Sequence, residues 1–133
     1  SSAVKTSIDV NAALIIVLSQ SGQTARYISK YQPGCTIVCL TISPTVARQV
    51  SGVQKGVHAY VVESMSDDRV LTQEIGAEAV TRGMAKLGDL MVVVSGTLHG
   101  IGRNNQLRVE AIESDEKPQS NRFHSFASFS ELA

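Results

Sequence analysis

Residues 12–24 read Ala-Ala-Leu-Ile-Ile-Val-Leu-Ser-Gln-Ser-Gly-Gln-Thr, so that an unbroken apolar run passes directly into a polar turn. The apolar part is rich in β-branched residues and shows no polar alternation, which is typical of a strand buried on both faces of a sheet. The turn is rich in hydroxyl groups, and Tyr27, Ile28 and Tyr31 follow it at helical spacing. The stretch therefore predicts a buried strand, a turn and a helix over residues 24–31.

Four further segments indicate strands. Thr36–Leu40, Val57–Val62 and Leu90–Val94 are apolar runs, whereas Leu107–Ile112 alternates apolar and polar residues, as a strand with one wet face does. The connection before this last segment is about ten residues without a helical pattern, which is too short for a parallel crossover. The sequence thus predicts a mostly parallel five-stranded α/β sheet with one antiparallel edge strand, covered by helices on both faces.

Two more helices are expected between the strands. One begins at Ser43-Pro44, a serine N-cap followed by proline at the first helical position. The other covers Asp67–Leu87, and its first two residues, both aspartates, are expected to cap and charge its N-terminus. Gly88 stands where a left-handed C-cap belongs.

Composition excludes several classes of protein. The 133 residues carry 12 basic and 12 acidic side chains and are 43% hydrophobic, which indicates one packed domain. The longest apolar run is seven residues, far below the roughly 18 that a membrane span needs. The first residues are too polar for a signal peptide, and the basic residues are too dispersed for a nucleic-acid surface. We expect a soluble cytoplasmic protein that binds neither membrane nor nucleic acid.

Cysteine and histidine usage gives no sign of catalysis or metal binding. Cys35 and Cys39 lie four positions apart on a predicted strand, about 13 Å between Cα atoms at roughly 3.3 Å per residue. We expect both to be reduced, unmetallated and buried. The three histidines are scattered, and no serine stands in a nucleophile elbow. The sequence therefore predicts no catalytic residues and no metal ligands.

The C-terminal segment, residues 113–133, differs from the rest of the chain. A polar, charged stretch comes first, and all three phenylalanines follow it, as Phe123, Phe126 and Phe129. Two interpretations stay open: a short helix that docks against a neighbouring surface, or a polar linker with a mobile tail.

The turn after the first strand has the features of an anion site. The helix that follows would present unpaired backbone N–H groups and the positive end of its dipole, and hydroxyl groups donate to phosphate oxygens. The lysine of a P-loop and the glycines of a dinucleotide fingerprint are missing. The candidate residues are Ser19, Gln20, Ser21, Gly22, Gln23 and Thr24. Equally open is the alternative that Ser21 only caps the helix and Ser19 is a turn residue.

A glycine-rich loop, residues 96–105, follows the fourth strand. If that strand is parallel to the first, the loop leaves the same edge of the sheet, where open α/β sheets bind ligands. Its candidate residues are Gly96, His99, Gly100, Gly102 and Arg103, of which the histidine and the arginine could reach over a bound phosphate. An ordinary exposed surface loop is the alternative.

At these segments the chain strongly resembles the C-terminal domain of pyruvate kinase, from about Ser2 to Ile112. The resemblance is carried by residues 12–33, Leu40-Thr41, residues 45–49 (Thr-Val-Ala-Arg-Gln), residues 86–96 (Lys-Leu-Gly-Asp-Leu-Met-Val-Val-Val-Ser-Gly) and residues 105–109.

The resemblance implies a three-layer α/β/α domain over residues 12–112, with residues 1–11 as the end of the helix that enters it. It implies a glycolytic kinase that transfers phosphate from phosphoenolpyruvate to ADP with magnesium and usually potassium. The catalytic residues of that family belong to a (β/α)8 barrel that this chain does not contain, so the chain alone should be inactive. The partners implied are that barrel and three further copies, in a homotetramer.

The resemblance also implies allosteric binding of a sugar-phosphate effector, with residues 19–24 holding one phosphate and residues 96–105 as the effector loop. Animal members hold the second phosphate of fructose 1,6-bisphosphate with a tryptophan and an arginine near the start of the long helix. Ser64 and Leu71 stand at those positions here. A monophosphorylated sugar, another effector and a vestigial site therefore remain alternatives. Two other functions also stay open: a purely structural, tetramer-forming domain, and a free-standing small-molecule phosphate binder of the same fold.

Overall fold

The computed structural model describes residues 2–19, 25, 29–30, 34–53, 56–95, 106–116 and 123–126. Within these ranges the helices are α1 (Ser2–Asp9), α2 (Pro44–Val53) and α3 (Asp68–Thr81). The strands are β1 (Leu14–Leu18), β2 (Thr36–Thr41), β3 (Val57–Val62), β4 (Leu90–Ser95), β5 (Gln106–Ala111) and β6 (Phe123–Phe126).

The strands form one mixed sheet in the order β5-β4-β1-β2-β3-β6. β1 lies near the middle and pairs in parallel with both β2 and β4, and β2 pairs in parallel with β3. β5 runs antiparallel to β4 along six residues. The five predicted strands and the antiparallel edge are thereby confirmed.

The side chains of β1 show why its sequence has no polar alternation. Leu14, Ile16 and Leu18 point into a core shared with α3, whereas Ile15 and Val17 point into a core shared with α1 and α2. Each of the five is at most 7% exposed. Helices therefore cover both faces of the sheet, which confirms the three-layer α/β/α architecture. Of the helix predicted over residues 24–31, only residues 25, 29 and 30 lie among the described residues.

The start of α2 agrees with its sequence. The Ser43 Oγ accepts a hydrogen bond from the backbone N–H of Val46 at 3.2 Å, which is the bond of a serine N-cap to the third helical residue. Pro44 occupies the first helical position, where its missing N–H leaves no donor unpaired.

α3 ends six residues earlier than predicted, at Thr81 rather than Leu87. Gly83 has φ +78°, its N–H donates to the Val80 carbonyl at 3.1 Å, and the N–H of Met84 donates to the Ala79 carbonyl at 2.8 Å. This pair of bonds is a Schellman motif, with Gly83 as its left-handed glycine. The prediction that Gly88 terminates the helix was therefore wrong. The apolar pattern continued past Thr81 because Met84 still packs on the core after the helix has ended.

The N-terminus of α3 also differs from the prediction. Asp67 occupies the N-cap position with φ 55° and ψ 49° and makes no side-chain capping bond. A side chain caps from the extended region of backbone space, which this left-handed conformation excludes. Asp68 does lie in the first turn, and its carboxylate pairs with Arg108 of β5 at 2.8 Å.

The tail contributes a sixth strand. Residues 123–126 pair antiparallel with β3, from Val62 opposite Phe123 to Ala59 opposite Phe126. A docking helix at these four residues is thus wrong, whereas a polar linker and mobile tail stay a prediction for the rest of residues 113–133. The division of the chain at residues 11 and 112 remains a prediction.

Candidate ligand site at the carboxyl edge of the sheet

The carboxyl ends of β1 and β4 meet at one edge of the sheet. The two strands are parallel neighbours, and their last residues, Leu18 and Ser95, are paired in register. Neighbouring strands lie about 4.8 Å apart. The segments that follow these strands therefore start side by side, as the sequence predicted on the condition that the strands are parallel.

The glycine-rich loop both leaves and returns at this edge. Ser95, the last residue of β4, is paired with Gln106, the first residue of β5. The loop over residues 96–105 is consequently anchored at both ends on this side of the sheet, with Ser95 next to the end of β1 and Gln106 one strand further away. Its candidate residues, Gly96, His99, Gly100, Gly102 and Arg103, lie outside the described residues, as do Gln20, Ser21, Gly22, Gln23 and Thr24.

Ser19 is the one residue of the predicted phosphate turn that the structure describes. It is buried, and its backbone N–H donates to the Leu40 carbonyl at 3.0 Å. This N–H group extends the pairing of β1 with β2 and is committed to the sheet. Backbone donors for an anion must therefore come from residues beyond Ser19.

The hydroxyl groups at the end of β2 serve the turn into α2. Thr41 is fully buried, and its Oγ1 accepts a hydrogen bond from the Ser43 N–H at 3.1 Å. The Ser43 hydroxyl in turn caps α2. Hydroxyl residues alone thus do not distinguish a ligand turn from a capping turn, and the glycine within residues 19–24 is what sets that turn apart.

A pocket that the sequence reasoning did not identify lies at the end of β3. It has a volume of about 180 Å³ and is lined by Glu63, Ser64, Ser66, Asp67 and Leu71. The hydroxyl oxygens of Ser64 and Ser66 are 2.7 Å apart and hydrogen bonded, and the Ser66 N–H donates to the Ser64 Oγ at 3.1 Å. The described lining residues include two carboxylates and no basic side chain. Two signals pointed to this region: the run of two serines and two aspartates after β3, and the resemblance that singled out Ser64 and Leu71.

Cys35 lies at the opposite end of the sheet, just before β2. Burial raises the pKa of its thiol, and a hydrogen bond with the Ser7 side chain offsets part of that effect. Cys35 and Cys39 are both thiols rather than half-cystines. A raised pKa disfavours the nucleophilic thiolate, so Cys35 has the character of a structural cysteine.

Among the described residues, no three His, Cys, Asp or Glu side chains are grouped in a way that could hold a metal ion. In the same part of the chain, no helix has the length and apolar character of a membrane span.

These features define a class: an α/β domain that places adjoining loops at the carboxyl ends of two parallel strands, the usual ligand position of open α/β sheets. Residues 1–110 match the family model described as pyruvate kinase, alpha/beta domain. The chain belongs to the pyruvate kinase family.

Individual relatives agree with this membership. Pyruvate kinase 2 of Candida glabrata is 36% identical over 122 residues, which cover 87% of this chain and 24% of the relative. The pyruvate kinase of Naumovozyma castellii is 40% identical over 114 residues, which cover 81% of this chain and 23% of the relative. A solved structure of Cryptosporidium parvum pyruvate kinase in complex with ADP is 36% identical, has a TM-score of 0.75, and is matched over 84% of this chain and 22% of that chain. The chain therefore spans less than a quarter of the length of these relatives.

Proposed function

We propose that this chain is the regulatory and subunit-contact domain of a pyruvate kinase, and that it acts by binding a phosphorylated sugar at the turn formed by residues 19–24. The observation that carries the proposal is that β1 and β4 end side by side, with Leu18 paired with Ser95. This register starts the hydroxyl-rich turn and the glycine-rich loop side by side, so that one ligand can contact both.

The chemistry of the two segments suits a phosphate. Ser21 and Thr24 supply hydroxyl donors, and Gly22 lets backbone N–H groups approach an anion closely. The positive end of a helix dipole at such a turn favours negative charge. His99 and Arg103, in the loop that follows β4, would add cationic or donor groups.

The acidic pocket after β3 favours an effector with one phosphate over one with two. Glu63 and Asp67 line that pocket, and carboxylates repel a second phosphate. Leu71, at the position where animal members carry an arginine, is 2% exposed and belongs to the core with Ile75 and Tyr60. A monophosphorylated sugar has no second phosphate to bring near these carboxylates.

The remainder of the proposal concerns the longer enzyme. Its partners would be the catalytic barrel of the same polypeptide and other copies in a homotetramer, in the cytoplasm. The reaction, phosphate transfer from phosphoenolpyruvate to ADP with magnesium and potassium, belongs to the barrel. We accordingly expect residues 1–133 alone to give no turnover in a coupled assay with these substrates.

Titration calorimetry with three chains tests the binding. The probes are glucose 6-phosphate, fructose 6-phosphate, fructose 1,6-bisphosphate and inorganic phosphate, each titrated into the parent, Ser21→Asp and Ser114→Asp. Ser21→Asp replaces a donor with a negative charge but retains N-cap ability. Ser114→Asp makes the same charge change beyond the amino-terminal end of β4, at an exposed position that follows β5.

We expect a sugar monophosphate to bind the parent and Ser114→Asp equally and Ser21→Asp not at all, with equal melting temperatures in the absence of ligand. Removing a single hydroxyl, as in Ser21→Ala, should weaken binding about tenfold or more, since a charge-assisted hydrogen bond contributes about 1.5–3 kcal/mol. Equal binding by the parent and Ser21→Asp would put the phosphate elsewhere. Absence of binding by the parent would favour a purely structural domain with a vestigial loop.

A further inference from the structure

β6 occupies an edge of the sheet that the other described residues leave open. It pairs with β3 over four residues, from Ala59 to Val62. The family model ends at residue 110, so β6 lies outside the part of the chain that the family shares. An uncovered edge strand presents unpaired N–H and C=O groups that accept a further strand. β6 therefore lies beyond the part of the chain that the family model matches, and it covers an edge of β3 that could otherwise pair with another strand.

The chain must travel far to reach that edge. β5 and β6 stand at opposite ends of the strand order, with four strands between them. β5 ends beside Leu90, at the amino-terminal end of β4, whereas β6 begins beside Val62, at the carboxyl end of β3. The connection has to cross the sheet both sideways and lengthwise.

The start of the connection is fixed to α3. Ile112 is 1% exposed, and the Gln73 side chain donates to the Ala111 carbonyl at 2.8 Å and accepts from the Glu113 N–H at 3.0 Å. Only the residues between Glu113 and Phe123, nine in number, remain to span the distance.

Those residues have little length to spare within one chain. Ten steps between consecutive Cα atoms reach roughly 33–36 Å when fully extended. The two ends lie roughly 30–35 Å apart, counting five strand spacings of about 4.8 Å across the sheet, about eight residues along it, and the shortening that sheet twist brings. Because helices cover both faces of the sheet, a route around them is longer than the direct line.

We propose that residues 123–126 of one copy pair with β3 of a second copy, so that two copies exchange their tails. The local concentration of a tethered segment falls to near zero when its tether barely spans the distance, whereas a second copy is not bound by that limit. In a reciprocal exchange, each tail pairs with the β3 of the other copy in the register described above. The resulting dimer has two-fold symmetry, and the edge of β3 is covered in both copies. This inference does not depend on effector binding.

Disulfide cross-linking between two chains that carry different cysteine substitutions tests the exchange. Val61 is opposite His124 in the register, and directly opposite residues of antiparallel strands have Cβ atoms about 4.5–5.5 Å apart, near disulfide distance. Val61→Cys and His124→Cys are placed in separate chains, both also carrying Cys35→Ser to remove the half-buried native thiol. The chains are mixed, unfolded, refolded together, oxidised and separated on a non-reducing gel. Val61→Cys mixed with Ser114→Cys is the control for random contact.

We expect a disulfide-linked heterodimer in the first mixture, at least tenfold above the control, and a doubly linked dimer when one chain carries both Val61→Cys and His124→Cys. An intramolecular disulfide in the double variant, with no heterodimer in the mixture, would overturn the exchange and leave β6 as a cap on its own chain. No disulfide in either experiment would overturn it as well, because the β3–β6 pairing itself would then be absent.

Discussion

The sheet ends in two antiparallel strands that are attached in different ways. β5 pairs with β4 over six residues, and its continuation, Ile112, is buried in the core beneath α3. β6 pairs with β3 over four residues and comes from the segment beyond the family match. The two edge strands thus differ in the length of their pairing and in their place relative to the family match.

Side chains bind β5 to α3. Arg108 of β5 donates through Nη1 to the Asp68 carboxylate at 2.8 Å and through Nη2 to the Thr72 Oγ1 at 3.3 Å. Its Nε lies 3.6 Å from the Glu110 carboxylate, and the Thr72 hydroxyl donates to Glu110. These contacts join the start of the helix to the middle of the strand.

The largest effect is expected from Ile112→Ala. Ile112 is 1% exposed, and its backbone N–H and C=O pair with Asp89 and Gly88 at 2.9 Å each. The substitution leaves these backbone bonds in place but opens a cavity, which costs about 2–5 kcal/mol for isoleucine. Urea unfolding followed by circular dichroism measures the loss. Leu107→Ala, on the same strand but 39% exposed, is the matched control and should lose less than about 1 kcal/mol. Equal losses of unfolding free energy in the two variants would mean that the continuation of β5 is not anchored in the core.

Gly76→Val is expected to rank second. An added Cβ at Gly76 would lie 3.0 Å from both the Ile112 Cγ1 and the Met91 Sδ, so α3 packs here without room for a side chain. Overpacking of this kind costs about 1–3 kcal/mol. Gly76→Ala is the control, because the helix propensity that alanine gains, about 1 kcal/mol, offsets much of the strain from a single methyl group. Differential scanning calorimetry should show a fall in Tm for valine and little change for alanine, and a stabilising valine would contradict this account.

Breaking the Arg108–Asp68 ion pair should lower the free energy of unfolding by less than either substitution above. The side chains are 26% and 37% exposed, and ion pairs with such exposure contribute about 0.2–1 kcal/mol in double-mutant cycles. The cycle consists of Arg108→Met, Asp68→Asn and the double variant, each measured by urea unfolding. The coupling energy should shrink in 1 M salt because the pair is partly open to solvent. A salt-independent coupling above about 2 kcal/mol would assign the ion pair, rather than the buried side chains, the main part in holding β5.

The contrast between β5 and β6 also explains which strands the sequence could predict. β5 was predictable because its alternation reports a strand with one wet face, and β1 because its unbroken run reports burial on both. β6 had no such pattern, since four residues of a phenylalanine-bearing tail fit a helix as well as a strand. The end of α3 was missed because Met84 continues the apolar spacing while Gly83 ends the helix through its backbone conformation.

The candidate site shows the same limits. The position of the two loops followed from parallel pairing, which the βαβ pattern predicts, so the meeting of Leu18 and Ser95 could be anticipated. The pocket between Glu63 and Leu71 was not anticipated, and one of its lining residues, Asp67, has a left-handed backbone. Single-residue backbone conformations of this kind leave no trace in hydrophobic periodicity.

The smallest effect is expected from removing the other edge, by ending the chain after Glu116. Pairing four residues with β3 forms about four backbone hydrogen bonds, each contributing roughly 0.5–1.5 kcal/mol, while ordering each residue costs roughly 1–2 kcal/mol. The two sums nearly cancel, so the truncated chain should lose less than about 1 kcal/mol of unfolding free energy relative to residues 1–133. Both chains should be compared by urea unfolding at the lowest usable protein concentration, because any contact between copies adds stability that depends on concentration. A loss comparable to that of Ile112→Ala would show that side chains of the tail are built into the core, and the distinction between the two edges would then fail. An unchanged free energy, together with the expected loss at Ile112, would show that the fold is complete without its sixth strand.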